Sequence, residues 1–368
     1  MKRLALLTAA AFVVVSPKPA EVQAVAEMTA LEQLGETLFF DPNLSLNRTQ
    51  SCASCHDPDQ GFADPSGAVS TGADGIAKGR RNAPALGYAA LTPERSTDAS
   101  GHLIGGFFHD GRAATLAEQA AGPVLDPNEM QMPDRAAVVA RLNEDAAYRR
   151  RFAALYDAGV LTRTDTGFAA MTEALAAFER RSSFSPFDSK FDRALRGEAA
   201  LTPLEQRGAE LFFDPQASNC SACHSSGTQP ELFTSYRYFN TGVPENPVAA
   251  SQDGGLAEVT GEAKHLRRFK TPSLRNVAIT GPYMHNGVFE DLETAVRFYN
   301  RYQSTESEWQ TNPETGASYG KVAVAETLSV GLLIKGPVLS DADIEALIAF
   351  LETLTDRRYE HLLKAREQ

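Results

Sequence analysis

The sequence predicts a mostly α-helical protein built from two similar halves with long loops. An internal repeat is the first observation, because LGETLFFDP at 34–42 returns as RGAELFFDP at 207–215. Each copy is typical of a short helix, and two cysteines and a histidine follow it. The second observation is that each half closes with an amphipathic helical pattern, at 171–180 and at 339–354. These features predict two domains of the same kind.

The predicted domains span 25–195 and 196–368, and they join near 195–202. Segments 64–87 and 225–256 are rich in Gly, Pro, Ser and Asn, a composition typical of loops. We expect these loops to wrap around whatever each domain binds.

Three further elements can be predicted from local patterns. Segment 134–156 has the apolar spacing of a helix, and a short hairpin is expected near 233–239. The last helix should begin at Ser340, because serine is a favoured N-cap residue.

Composition limits the possible partners. The chain has 368 residues with 47 acidic and 35 basic side chains, a formal net charge of −12. Phosphate binding needs clustered Lys and Arg, so nucleic acid is disfavoured. With 43% hydrophobic and 22% charged residues, the composition is that of a globular protein.

The first 24 residues have the features of a secretory signal peptide. Met1-Lys2-Arg3 is basic, and 4–15 is an apolar run too short for the ~20 residues that span a bilayer. Small residues at 22–24 offer a cleavage site. We therefore expect export to the periplasm; the alternative is a buried N-terminal helix. No later run reaches about 18 apolar residues, so no membrane span is expected.

The four cysteines form two C-x-x-C-H motifs, the signature of covalent c-type haem attachment. Two thiols at this spacing can each bond one vinyl group of a porphyrin, and the adjacent histidine can ligate the iron. Disulfides, a redox pair and a zinc ribbon are alternatives, but none needs a histidine after each pair. The sequence therefore predicts two covalent haems, held by Cys52, Cys55 and His56 and by Cys220, Cys223 and His224.

Longer strings around these motifs carry a family resemblance. They are GRRNAPAL at 79–86, FFHDGRAATLAEQAAGP at 107–123, EMQMP at 129–133 and FKTPSLRNVAITGPYMHNG at 269–287. With them the chain resembles the dihaem bacterial cytochrome c peroxidases and their relative MauG. The resemblance implies two cytochrome c-like domains and an enzyme that consumes hydrogen peroxide.

The first haem is expected to have an open sixth position. In the peroxidase branch of the family, a loop before the R-N-A-P string often supplies a histidine ligand. Here 70–75 reads STGADG and holds none, which favours the MauG-like branch. His102 or Met130 is the alternative ligand.

The resemblance also implies which groups handle peroxide. Glu129 and Gln119 match the family's distal Glu and Gln. A carboxylate can move the peroxide proton, whereas an amide can only orient the substrate. Where the family usually has a tryptophan between the haems, this chain has His109. Electrons could then pass between the haems by direct tunnelling or along a hydrogen-bonded path through His109; a polar spacer is the plain alternative for this residue.

For the second haem, the matching position of the sixth ligand is Tyr299, which is tyrosine in MauG and methionine in the peroxidases. Leu292, Ala295, Val296 and Tyr299 share one predicted helical face. Met284 is the rival ligand, and an ordinary core tyrosine is the plain alternative. A phenolate favours oxidised iron, as in catalase, so Tyr299 suggests a haem that stores an oxidising equivalent.

A calcium ion between the haems is also typical of the family. The matching ligands are the Asn82 side chain and the main-chain oxygens of Thr280 and Pro282. Asn82 could equally be a turn former before Pro84.

Three functions follow. The first is a dihaem peroxidase that reduces hydrogen peroxide at the N-terminal haem, with electrons passed through the C-terminal haem from a small cytochrome c or cupredoxin. The second is a MauG-like enzyme that oxidises residues of a partner protein. The third is a non-enzymatic dihaem electron carrier, which would need two six-coordinate irons.

Overall fold

The computed structural model describes residues 27–250 and 252–364. The predicted signal peptide at 1–24 lies outside these residues. The described part is mainly helical, as predicted, with long irregular connections. Its α-helices are α1 (Ala30–Phe39), α2 (Leu116–Leu125), α3 (Arg135–Glu144), α4 (Ala146–Leu155), α5 (Thr164–Glu179), α6 (Lys190–Leu195), α7 (Pro203–Phe213), α8 (Ala257–Thr260), α9 (Leu292–Arg297), α10 (Val330–Leu333), α11 (Asp341–Glu352) and α12 (Glu360–Lys364).

Within 27–250 and 252–364, no helix combines the length and the apolar character needed to cross a bilayer.

The described strands form two short antiparallel ribbons. One pairs β1 (Ser96–Thr97) with β2 (Leu103–Ile104), and the other pairs β3 (Tyr238–Phe239) with β4 (Phe269–Lys270). The expected hairpin within 233–239 is therefore wrong.

The reason is local backbone geometry. Phe233 and Tyr236 both adopt positive φ, at 52° and 54°. Such residues turn the chain instead of extending it. Tyr238 and Phe239 form the strand in this segment, and their partner strand comes from a distant part of the sequence.

The helix expected over 134–156 is also divided into two. Asp145 has φ −90° and ψ 123°, which ends α3. Its side chain accepts a hydrogen bond of 2.6 Å from the Ala147 amide and so caps α4. The closing helix of the first half is longer than its predicted 171–180, because α5 begins at Thr164.

In each half, the helix that carries the sequence repeat crosses the amphipathic closing helix at a glycine. A Cβ on Gly35 of α1 would lie 1.9 Å from the Ala174 carbonyl oxygen of α5. A Cβ on Gly208 of α7 would lie 1.9 Å from the Ala346 carbonyl oxygen of α11. The repeat seen in the sequence is thus a repeated backbone-to-backbone contact that only glycine permits.

Matching aromatic pairs fill the space beside these crossings. Phe39 and Phe178 have ring centroids 5.4 Å apart in the first half, and Phe212 and Phe350 have centroids 5.2 Å apart in the second. All four are buried. Burial of each such side chain contributes about 1.5–3 kcal/mol.

The second apolar core begins before the predicted domain boundary at 195. Phe191 of α6 packs against Phe233 and Phe350, with ring centroids 5.3 and 5.7 Å away. The Asp192 carboxylate beside it forms a buried ion pair with Arg275, at 2.5 Å. α6 therefore packs with the C-terminal half.

Replacing Gly208 with alanine should destabilise the protein. The added methyl group meets the Ala346 backbone, which cannot move without displacing α11. Overpacking of this kind costs about 1–3 kcal/mol. Gly331→Ala in α10 is the matched control, because nothing lies within 4 Å of its added Cβ. Thermal unfolding of both variants measures the difference, and equal stabilities would contradict the role of the crossing.

Candidate haem sites

A cavity of about 740 Å³ runs between the two halves and is lined by both C-x-x-C-H motifs. Most of the side chains singled out from the sequence line it as well. They are Glu129, Gln119, His109, Tyr299, Met284, Asn82, Thr280, Pro282 and Met130. Residues far apart in the sequence are thus brought to the wall of one cavity.

Each cysteine pair lies in a single turn of 3₁₀-helix, over Cys52–Ser54 and Cys220–Ala222. The His56 amide donates to the Cys52 carbonyl at 3.0 Å, and the His224 amide donates to the Cys220 carbonyl at 2.9 Å. The tight turn brings both thiols and the imidazole to the cavity wall.

Both histidines are oriented by a backbone carbonyl. Nδ1 of His56 lies 3.3 Å from the Phe62 oxygen, and Nδ1 of His224 lies 3.3 Å from the Phe233 oxygen. A carbonyl only accepts, so Nδ1 carries the proton and Nε2 keeps its lone pair for a metal. Burial lowers the pKa of both rings, that of His224 to about 4. Both imidazoles are therefore neutral, as ligation requires.

The thiols fit thioether attachment better than the alternatives. All four cysteines are free of disulfides. Burial raises the pKa of Cys52 to about 12 and that of Cys55 to about 11, the opposite of what a redox pair needs. Across the described residues, no three His, Cys, Asp or Glu side chains group closely enough to hold a metal ion.

Glu129 is a half-buried carboxyl group on the side of the first motif. Burial, helped by repulsion from Asp126, raises its pKa to about 7. The charge of Glu129 in turn acts on the Cys55 thiol. Gln119 of α2 lines the same cavity and offers a neutral amide. A carboxyl group that titrates near neutral pH is well suited to general acid–base chemistry.

The loop at 70–75 is fixed beside Glu129. The Ala73 amide donates to the Glu129 carbonyl at 2.8 Å, and the Gln50 side chain donates to the Thr71 carbonyl at 2.7 Å. The loop carries no histidine. Of the two alternative ligands, Met130 lines the cavity, whereas His102 lies outside it with 56% of its side chain exposed.

Tyr299 lies on the side of the second motif. The helix predicted there is α9 followed by a 3₁₀ turn over Phe298–Tyr302. Its four inward-facing positions all line the cavity, as the pattern predicts: Leu292, Ala295, Val296 and Tyr299. Burial and the nearby Cys223 and Cys220 thiols raise the pKa of Tyr299. Met284 lines the same cavity, so both rival ligands are within this space.

His109 is half-buried and neutral. Burial and the Arg81 guanidinium lower its pKa to about 4. Its Nε2 donates to the Asn82 carbonyl at 3.0 Å, which fixes the tautomer. The His109 carbonyl in turn accepts from the Lys270 amide at 2.7 Å. This histidine therefore joins a segment of the first half to a segment of the second.

The residues predicted for calcium lie close to this link. The Asn82 amide donates to the His285 carbonyl at 2.9 Å. Its side-chain Nδ2 donates to the Ala68 carbonyl at 3.1 Å, so Oδ1 is the atom left for a cation. Thr280 and Pro282 line the same cavity. Oxygen donors of this kind suit Ca²⁺.

Several buried charged groups were missed by sequence reasoning. Arg81 makes ion pairs of 2.6 Å with both Asp110 and Asp253. Burial lowers the pKa of Lys270 to about 7 and raises that of Glu179 to about 8. Their burial depends on contacts across the cavity, which no local pattern reveals.

The chain is similar to known proteins over nearly its whole length. Residues 29–200 match the family model described as di-haem cytochrome c peroxidase. The chain is 50% identical to the methylamine utilization protein MauG of Paracoccus denitrificans, over 99% of this chain and 98% of that protein. The chain belongs to the dihaem cytochrome c peroxidase and MauG family. It is accordingly a dihaem oxidoreductase, and the non-enzymatic carrier is set aside.

Other members of this family extend the comparison. The cytochrome c551 peroxidase of Nitrosomonas europaea is 32% identical over 82% of each chain. A variant of the dihaem peroxidase BthA from Burkholderia thailandensis superposes with a TM-score of 0.82 at 33% identity. The match covers 91% of this chain and 88% of that one. Membership implies two c-type haems, and the thiols, imidazoles and cavity of this chain fit them.

Removing one motif should remove one haem. We expect the double variant Cys220→Ala, Cys223→Ala to carry one covalent haem per chain instead of two. Pyridine haemochrome absorbance and intact mass measure this number. Ser221→Ala, between the two cysteines, is the control and should keep both haems. A double variant that still carries two covalent haems would contradict this assignment.

Proposed function

We propose that this enzyme reacts with hydrogen peroxide at the first haem site and is ready to do so without prior reduction. The carrying observation is Glu129, a half-buried carboxyl group whose pKa is raised to about 7, on the cavity wall near Cys55. When bound, a c-type haem would supply the iron centre at which peroxide is reduced. His56 would be its proximal ligand.

Glu129 acts as the proton carrier in this proposal. Its carboxylate accepts a proton from one peroxide oxygen and returns it to the other, which becomes water. Gln119 orients the peroxide by hydrogen bonding and does not titrate.

The readiness of the resting enzyme rests on the loop at 70–75. It contains no histidine and is tied to the Glu129 backbone through Ala73. The side chain of His102 is largely exposed, so it is not positioned to be the sixth iron ligand of the first haem. Met130 is the remaining alternative for that ligand.

A second candidate function is the oxidation of residues in a partner protein. It is favoured by 50% identity to MauG along the whole chain and by Tyr299 on the wall of the second haem site. An anionic phenolate would stabilise oxidised iron at that site. In the peroxidase alternative, a small cytochrome c or cupredoxin would return the electrons.

The remaining proposals concern charge, calcium and location. Lys270 and Arg81 are cations on the cavity wall and would suit the haem propionates.

We also propose that Asn82, Thr280 and Pro282 bind Ca²⁺, because the Asn82 Oδ1 remains for a cation. Covalent haem attachment fits the periplasm predicted from residues 1–24.

Glu129→Gln should slow the reaction with peroxide by about 10²–10⁴-fold, the usual contribution of a general acid–base group. In the parent enzyme the rate should rise with pH through about 7, because only the carboxylate accepts a proton and burial raises the pKa of Glu129 to about that value. Stopped-flow absorbance of the ferric protein gives both quantities.

The variant's profile should be flat over the same pH range. Glu210→Gln is the control, since 72% of the Glu210 side chain is exposed. An unchanged rate in Glu129→Gln would remove Glu129 from the mechanism.

Tyr299→Phe and Met284→Leu distinguish the two rival ligands of the second haem. We expect Tyr299→Phe to change the low-spin electron paramagnetic resonance (EPR) signal of the resting ferric protein and Met284→Leu to leave it unchanged. The resting spectrum should also contain a high-spin signal from the first haem, and both signals should decrease after peroxide. Two low-spin signals that do not change when peroxide is added would contradict the proposed function.

A further inference from the structure

Tyr88 is a buried phenol on the cavity wall that the function described above does not use. It is 1% exposed and lines the cavity shared by both haem motifs. Its hydroxyl donates to Oδ1 of Asp356 at 2.5 Å, and Asp356 is fully buried. A buried phenol bonded to a buried carboxylate is a pair between which a proton can pass.

The carboxylate is itself held in place. Its Oδ2 accepts from the Asn276 side chain at 2.8 Å, and the Asp356 amide donates back to the Asn276 side chain at 2.8 Å. Burial raises the pKa of Asp356 to about 6, opposed by the bonds from Asn276 and Tyr88. At neutral pH the carboxylate therefore predominates and can accept a proton.

Short routes lead from Tyr88 to the proximal side of each haem site. The Phe62 carbonyl that orients His56 also accepts from the Leu86 amide at 3.2 Å, two residues before Tyr88. On the other side, the Arg275 guanidinium lies 5.2 Å from the Tyr88 ring and 5.3 Å from the Phe233 ring. Phe233 supplies the carbonyl that orients the second proximal histidine.

The positive charge of Arg275 does not forbid oxidation of the ring. Asp192 pairs with it through two bonds of 2.5 and 2.9 Å. Transfer of the phenol proton to Asp356 also means that no cation forms on the ring, so the oxidised side chain is neutral.

Tyr148, Tyr156 and Tyr236 lack this combination. Tyr148 and Tyr156 donate to the carboxylates of Asp41 and Glu173, but neither lines the cavity. Tyr236 lines the cavity but donates to a backbone carbonyl, which is a poor base.

We infer that Tyr88 is a redox-active residue that gives one electron to a peroxide-oxidised haem and its phenolic proton to Asp356. The step balances: the O–H bond of Tyr88 breaks, an O–H bond forms on Asp356, and the haem iron gains the electron. The product is a neutral tyrosyl radical beside a carboxylic acid. The inference rests on the proposed reaction with peroxide and adds a site that holds an oxidising equivalent in the protein.

The test is EPR of the diferric holoenzyme, freeze-quenched after mixing with hydrogen peroxide. The protein is prepared with ordinary and with ring-deuterated tyrosine. We expect an organic radical whose hyperfine splitting narrows on deuteration, and Tyr88→Phe should abolish it. Tyr148→Phe is the matched control, because it removes another buried hydroxyl from a carboxylate, and it should keep the signal.

Asp356→Asn gives a second, independent variant. It keeps an acceptor for the Tyr88 hydroxyl but removes the base, so the radical should be lost while peroxide still changes the haem absorbance. A tyrosyl signal that persists in Tyr88→Phe, or oxidised haems with no tyrosyl signal in the parent, overturns the inference.

If peroxide does not change the haem absorbance of the parent enzyme, that result would instead contradict the proposed function. In that case a flash-generated ruthenium(III) polypyridyl complex serves as the oxidant in the same samples. A radical that Tyr88→Phe removes then supports the inference, and a radical unchanged in that variant overturns it.

Discussion

The rest of the structure depends on two close helix crossings, at Gly35 and at Gly208. At each one a helix backbone touches the carbonyl of the closing helix, in the space that any side chain would fill. The short distance between the two helices fixes the position of the Phe-Phe-Asp-Pro end of the first helix relative to the C-x-x-C-H motif that follows it. Each half therefore holds its cysteine pair and histidine against one wall of the cavity.

Burial in that cavity determines the charges of the groups that face it. A low-dielectric environment disfavours the charged form of every side chain. It raises the pKa of Glu129 to about 7, lowers that of His109 to about 4 and lowers that of Lys270 to about 7. The same cause thus produces a carboxyl group able to exchange protons, a neutral imidazole link and a lysine that is easily neutralised.

The two halves share a backbone arrangement around the histidine but place different chemical groups beside their haem sites. Both orient their histidine through a carbonyl, of Phe62 in one half and Phe233 in the other. The first half then adds the Glu129 carboxyl group, whereas the second adds the Tyr299 phenol. An acid–base group beside one haem and an anionic ligand beside the other would separate the reaction with peroxide from the storage of oxidising power.

The sequence by itself determined the repeat, the two haem-attachment motifs and the inward face of α9. These are local properties, because residue spacing along a turn or helix decides which side chains lie together. The sequence could not predict the break at Asp145 or the pairing of Tyr238 with a distant strand, since both depend on competing backbone conformations. Only the tertiary structure decided that Tyr88 meets Asp356 and that Arg81 lies between two aspartates. Such contacts join residues far apart in the chain, and their burial, which sets their chemistry, exists only once both halves have packed together.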